Sequence, residues 1–277
     1  MRKRGLFSVL VSNFFRNISI TAWLIIINIF LFITSLFLGN YLNYLVLQPR
    51  LLFQNYYIWT LITSMFLHAG FAHLFFNMFS LYFIGSFIEK IAGRKRFLYF
   101  YLISGVIAGL FFAILAYFLG FGLLERVFGS PSITAVGASG AIFGLLGILA
   151  VLTPRKKVYL IAGPLAAIII QVLVESFITS SSALTFVNLI VSVYFIFSIF
   201  AIFSFSRKFL RFALPLELEF WFLPFVAIVP LVIIGLFIPL PIGNTAHLGG
   251  LIAGLVYGVY LRKKYAKKIV MLNRMIR

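Results

Sequence analysis

The sequence predicts an all-α, polytopic transmembrane bundle with about eight spans. Two bulk observations carry this: 63% of the 277 residues are hydrophobic, and the mean hydropathy is +1.14. Soluble domains of this length are far more polar. The third observation is length. The apolar residues gather in runs at 20–38, 70–89, 97–119, 137–153, 158–178, 183–205, 219–240 and 245–262, each close to the roughly 20 residues that span a bilayer. All are read as helices, because an open sheet cannot satisfy its backbone in lipid and the alternation of a barrel strand is missing.

The charges orient the bundle. With residues 1–19 as a cytoplasmic segment, the cations fall inside: Arg2, Lys3, Arg4 and Arg16; Lys90, Arg94, Lys95 and Arg96; Arg155–Lys157; Arg207, Lys208 and Arg211; and a basic cytoplasmic tail at 263–277. Arg50 and Arg126 fall outside. Short cytoplasmic loops carry this excess of Lys and Arg. The formal charge of +18 is therefore read as topology, and nucleic-acid binding is set aside because no basic face interleaved with aromatics is left over. The run after Met1-Arg-Lys-Arg is read as a retained first span and not a cleaved leader, since it is a full span long with no small-residue cleavage site behind it. Residues 20–262 form one membrane domain, with a hydrophobic pair at 158–205 as an insertion. The first outer loop, 39–69, carries many aromatics, among them Tyr41, Tyr44, Tyr56, Tyr57 and Trp59, and is expected at the membrane interface.

Reactive groups are few. The chain has no cysteine and no aspartate, which removes thiolate chemistry, an aspartyl dyad and a Ser–His–Asp triad. The acids are Glu89, Glu125, Glu175, Glu217 and Glu219, and the histidines are His68, His73 and His247. Gly137-Ala138-Ser139-Gly140 opens the fourth span. By itself this motif is weak, because small residues are common where membrane helices pack. Gly140, Gly144 and Gly147 share one face beside Ser139, and Gly250, Gly254 and Gly258 share the face of His247 on the last span. Packed strip to strip, the two helices bring a hydroxyl and a base within reach, as an activated serine requires. His73 and Asn77, four apart at the start of the second span, can donate to a developing oxyanion. Each residue has a plainer role open to it: His247 as a packing histidine, His73 and Asn77 as caps or water ligands. A three-histidine zinc site is disfavoured, because no carboxylate sits beside it as base and the spacing is not that of His-Glu-x-x-His.

His73-x-x-x-Asn77, Gly137-x-Ser139-Gly140 and Ala246-His247-x-x-Gly250-x-x-x-Gly254 occur in the order and on the spans of the rhomboid intramembrane serine proteases, which the chain resembles in a prokaryotic, archaeal-type form. His68, Glu89 and Trp59 also look like that family. The resemblance implies Ser139 as nucleophile, His247 as base and then acid, and Asn77, His73 and the Gly137–Ser139 backbone as the oxyanion-stabilising group. It implies no cofactor and no metal, and transmembrane protein segments as substrates. The span 219–240, with Pro224, Pro230 and Pro239, occupies the place of the family's lateral gate. Three departures stand out. Thr60 follows Trp59 where the family often has arginine. Phe143 stands where a tyrosine often packs the histidine. The stretch between Ser139 and His247 is longer than a six-span core needs. Two rival functions remain: a catalytically silent rhomboid-like protein that escorts membrane clients, and a small-solute transporter, for which the inverted repeats are missing.

Overall fold

The computed structural model describes residues 18–175, 180–203, 207–237 and 243–275. The expected N-terminal basic segment, Ser206, Pro239 and Pro241 lie outside them. The described residues up to Pro154, with those from Trp221 onward, form one compact unit; Arg155–Phe220 form a second.

The first unit opens with α1, Ile20–Ser35. Its start is capped twice. Ser19 Oγ accepts the Ala22 N–H at 3.1 Å, and the buried Glu89 carboxylate accepts the N–H groups of Ile20 and Thr21 and the Thr21 hydroxyl, each at 2.8 Å. The first turn of a helix leaves its N–H groups without intrahelical partners and carries a partial positive charge. One carboxylate answers both needs, and Arg94 Nε completes its surroundings at 4.0 Å.

The outer loop holds α2, Pro49–Gln54, and α3, Thr60–Thr63, flanked by 3₁₀ turns at Gly39–Tyr44 and Ser64–Phe66. The arginine missing after Trp59 is replaced by other ties. Trp59 Nε1 donates to the Tyr44 carbonyl at 2.7 Å, Thr63 Oγ1 donates to the Leu45 carbonyl at 2.6 Å, and Trp59, Tyr57 and Tyr44 stack in series.

Next come α4, Phe71–Ser80, a π-turn at Leu81–Gly85, and α5, Ser86–Ala92. Gly93, at φ +83°, separates them from α6, Arg94–Leu119. Among the described residues, Phe71–Ala92 and Arg94–Leu119 are the two helices long and apolar enough to cross a bilayer. Helix α7, Glu125–Phe128, precedes α8, Ser139–Leu152. Eleven of the fourteen α8 residues are buried, which makes it the centre of the unit. The unit closes with α12, Leu223–Phe237, which carries Pro230 in its interior, then α13, Asn244–Lys264, and α14, Ala266–Met275.

The second unit comprises β1, Lys157–Ile161; α9, Ala162–Glu175; α10, Ser181–Phe203; α11, Arg207–Leu210; and β2, Pro215–Glu219. Here the expected helical run at 158–178 is corrected. Its first residues form a strand antiparallel to β2, with Val158 opposite Leu218 and Leu160 opposite Leu216. The run at 219–240 is trimmed in the same way, since Glu219 ends β2 and the helix begins at Leu223. Short apolar runs rich in Val, Ile and Tyr suit a strand as well as a helix. The pairing here comes from a partner more than fifty residues away in sequence. Lys157 Nζ reaches Glu217 at 3.1 Å across the ladder. Helices α9 and α10 pack antiparallel: Gln171 Nε2 donates to Asn188 Oδ1, and Gly163 lies against Tyr194.

Candidate active site

Helices α8 and α13 meet along their glycines. A Cβ on Gly250 would stand 2.0 Å from the Gly140 carbonyl oxygen, and one on Gly254 would stand 2.0 Å from that of Gly144. Nothing larger than hydrogen fits at either position. The α8 glycines also face α6, a contact that sequence reasoning missed. A Cβ on Gly140 would meet Ala108 Cβ at 2.6 Å, and one on Gly144 would meet Ser104 Cβ at 2.6 Å. The small residues of α6, Ser104 and Ala108, are spaced four apart, and that spacing was the available signal.

This close approach sets the chemistry. His247 Nε2 lies 2.8 Å from Ser139 Oγ. The two residues are 108 positions apart in sequence, so the pair exists only because the helices are packed. The imidazole is held by Phe143, whose ring stacks on it at 4.3 Å between centroids and 9° between planes. His247 Nδ1 is buried with no hydrogen-bond partner among the described residues. Among the described residues no carboxylate orients the ring, so packing does. For Nε2 to accept the serine proton, Nδ1 must carry the ring's own hydrogen.

The remaining predicted residues converge on the chain just before Ser139. Gly137 takes φ +121°, and a Cβ there would stand 2.8 Å from His73 Cε1 and Nε2 and 3.7 Å from Asn77 Nδ2. Both the left-handed conformation and the lack of space demand glycine. The segment is stretched across the outer loop by the Gly137 N–H to Ser64 carbonyl bond at 2.8 Å and the Leu47–Ala135 bridge. Sequence reasoning had not found this anchoring. Asn77 Nδ2 spends one hydrogen on the His73 carbonyl at 3.0 Å, leaving its second free to donate. The Ala69 N–H points at His73 Nδ1 from 3.5 Å, which favours the tautomer with its proton on Nε2, the atom that faces Gly137. His68 packs edge-on to His73 at 5.1 Å. Burial, with His73 adding to it, pushes the His68 pKa down to about 4, so His68 is a neutral support at physiological pH. Ser139, His247, Asn77, His73 and Gly137 thus lie in one region. The three histidines form no cluster with the makings of a metal site among the described residues.

Fold and site together define a helical membrane protein with a serine–histidine pair and donors beside it. The rhomboid domain family model matches residues 55–194 and 191–264, and the chain belongs to the rhomboid family. It is similar to the putative rhomboid protease YdcA of Bacillus subtilis (strain 168), at 40% identity over 32% of this chain and 39% of that one. Rhomboid protease GluP of the same organism is 38% identical over 37% of this chain and 17% of its own length. The inactive RHOMBOID-like protein 8 of Arabidopsis thaliana is 31% identical over 37% of this chain and 25% of its own. The chain thus spans well under half the length of these relatives.

Proposed function

We propose that the chain is an intramembrane serine endopeptidase that cleaves transmembrane segments of membrane proteins with a Ser139–His247 dyad. The observation that carries this reading is the 2.8 Å approach of His247 Nε2 to Ser139 Oγ. Ser139 Oγ attacks the scissile carbonyl as its proton passes to His247 Nε2. The resulting oxyanion takes hydrogen bonds from Asn77 Nδ2, His73 Nε2 and the Ser139 N–H at the start of α8. His247 then returns the proton to the departing amine. In the second half, a water gives its proton to His247 as its oxygen attacks the acyl ester, and the acid is released as His247 returns that proton to Ser139 Oγ. A helical substrate hides its carbonyls in its own hydrogen bonds, so a segment with Gly, Ser or Pro near the cut unwinds at lower cost.

The membrane reading is of about eight spans with both termini cytoplasmic and 158–205 as an inserted pair. It is supported by the charge pattern and by the antiparallel packing of α9 on α10. The second reading, an inactive family member that binds clients, is favoured by the inactive plant relative; the intact serine–histidine pair argues against it. Fluorophosphonate labelling and cleavage of a reconstituted single-span substrate decide between them. Wild type is expected to label and cleave; Ser139→Ala and His247→Ala are expected to lose cleavage while remaining folded. An unlabelled wild type with no turnover favours the binding role, and a single mutant with near-normal turnover rejects the dyad.

A further inference from the structure

At the basic end of the first unit, away from Ser139, lies a cavity of about 240 Å³. Its polar wall is built by Lys90 of α5, Arg96 of α6, Lys268 of α14 and Tyr265, and its apolar wall includes Leu261 and Ile269. Two of these cations, Arg96 and Lys268, share the Tyr265 ring with Lys264, whose Nζ lies 5.8 Å from the ring centroid and which does not line the cavity. The Arg96 guanidinium lies 5.3 Å and Lys268 Nζ 6.0 Å from the Tyr265 centroid. None of the described lining residues is acidic. The nearest carboxylate in sequence, Glu89, is already engaged by Ile20, Thr21 and Arg94. Three like charges around one cavity repel each other unless an anion joins them.

The apolar wall narrows what that anion is. Ile269 is 8% and Leu261 7% exposed, while the next residues of α14, Val270 and Met271, are exposed at 52% and 62%. A short helix with cations beside exposed apolar side chains lies in the headgroup region of a bilayer. A soluble phosphate would have no use for the apolar side; a phosphodiester carrying acyl chains uses both. The geometry points to a binding site for the headgroup of an anionic phospholipid, with Lys90, Arg96 and Lys268 on the phosphate oxygens and the start of the acyl chains against Leu261 and Ile269. The site tethers α14 to the ends of α5 and α6. It depends on the membrane position of the basic helix ends and not on the cleavage reading.

The test uses the full chain in a neutral detergent and follows its thermal midpoint while lipid is added. Dioleoylphosphatidylglycerol is expected to raise the midpoint saturably; dioleoylphosphatidylcholine and ionic-strength-matched inorganic phosphate are not. The triple variant Lys90→Gln, Arg96→Gln, Lys268→Gln is expected to raise the half-saturating lipid concentration by roughly tenfold or more. A control triple, Arg262→Gln, Lys263→Gln, Lys267→Gln, removes equal charge from exposed positions outside the cavity and is expected to keep the wild-type response. Should the first triple fold poorly, Lys268→Glu at its exposed position is expected to weaken the effect alone. Equal losses in both triples would mean diffuse attraction to a basic surface and overturn the site. A matching shift with inorganic phosphate would overturn the lipid assignment, as would equal shifts with the two lipids.

Discussion

Gly250 packs directly on the Gly140 carbonyl, so closely that a single added carbon would sit 2.0 Å from the oxygen. Gly140 directly follows Ser139 and Gly250 lies about one helical turn after His247, so this contact sets the separation of the pair. Gly250→Ala must push α8 and α13 apart, and a misplacement of about 1 Å can cost on the order of 10²-fold in rate. Turnover is expected to fall by at least that much, while Val256→Ala, on the exposed face of α13, leaves it unchanged. Cleavage kinetics beside thermal melts check this; wild-type turnover in Gly250→Ala would show that the strip does not hold the pair.

On the proposed mechanism, Asn77 and Gly137 act on the oxyanion by different routes. Asn77→Ala removes a donor and is expected to lower kcat by up to about 10²-fold with KM little changed, since His73 and the backbone remain. Gly137→Ala removes no donor. It places a methyl 2.8 Å from the His73 ring at a φ of +121°, and is expected to lower kcat further than Asn77→Ala. Single-turnover rates separate the two; an unaltered rate in either variant removes that residue from the site.

Glu89 is a structural acid. Glu89→Ala strips the acceptors from the Ile20 and Thr21 N–H groups and the Thr21 hydroxyl, and leaving a buried donor unsatisfied costs about 1–3 kcal/mol. A lower thermal midpoint is expected, with Glu89→Gln intermediate, and turnover per folded molecule is expected to hold. A midpoint equal to wild type would mean that water replaces the carboxylate.

The proposed eight-span arrangement places the two ends of α10 on opposite sides of the membrane. The chain has no cysteine, so single cysteines at Ser180 and Lys208 report cleanly to a membrane-impermeant maleimide in sealed vesicles. Ser180→Cys is expected to label from the outer side and Lys208→Cys only after permeabilisation. Labelling of both from one side would require redrawing the inserted pair.

The sequence by itself determined a good deal. Hydrophobic runs and the distribution of Lys and Arg specify membrane helices, because lipid punishes unpaired backbone and buried charge wherever they fall in the fold. The glycine periodicity on 140–147 and 250–258 marked two faces for close packing, and with three histidines and no aspartate there were few ways to activate Ser139. Tertiary structure decided the rest. That His247 Nε2 meets Ser139 Oγ follows from helix contact across 108 residues of chain, which no local pattern encodes. The strand Lys157–Ile161 was hidden because its last four residues, 158–161, are as apolar as a helix start, and only pairing with Pro215–Glu219 selects the extended form. Glu89 looked like a residue near a span end until α1 was set against it; the unpaired N–H groups that give it a role belong to a helix 68 residues earlier.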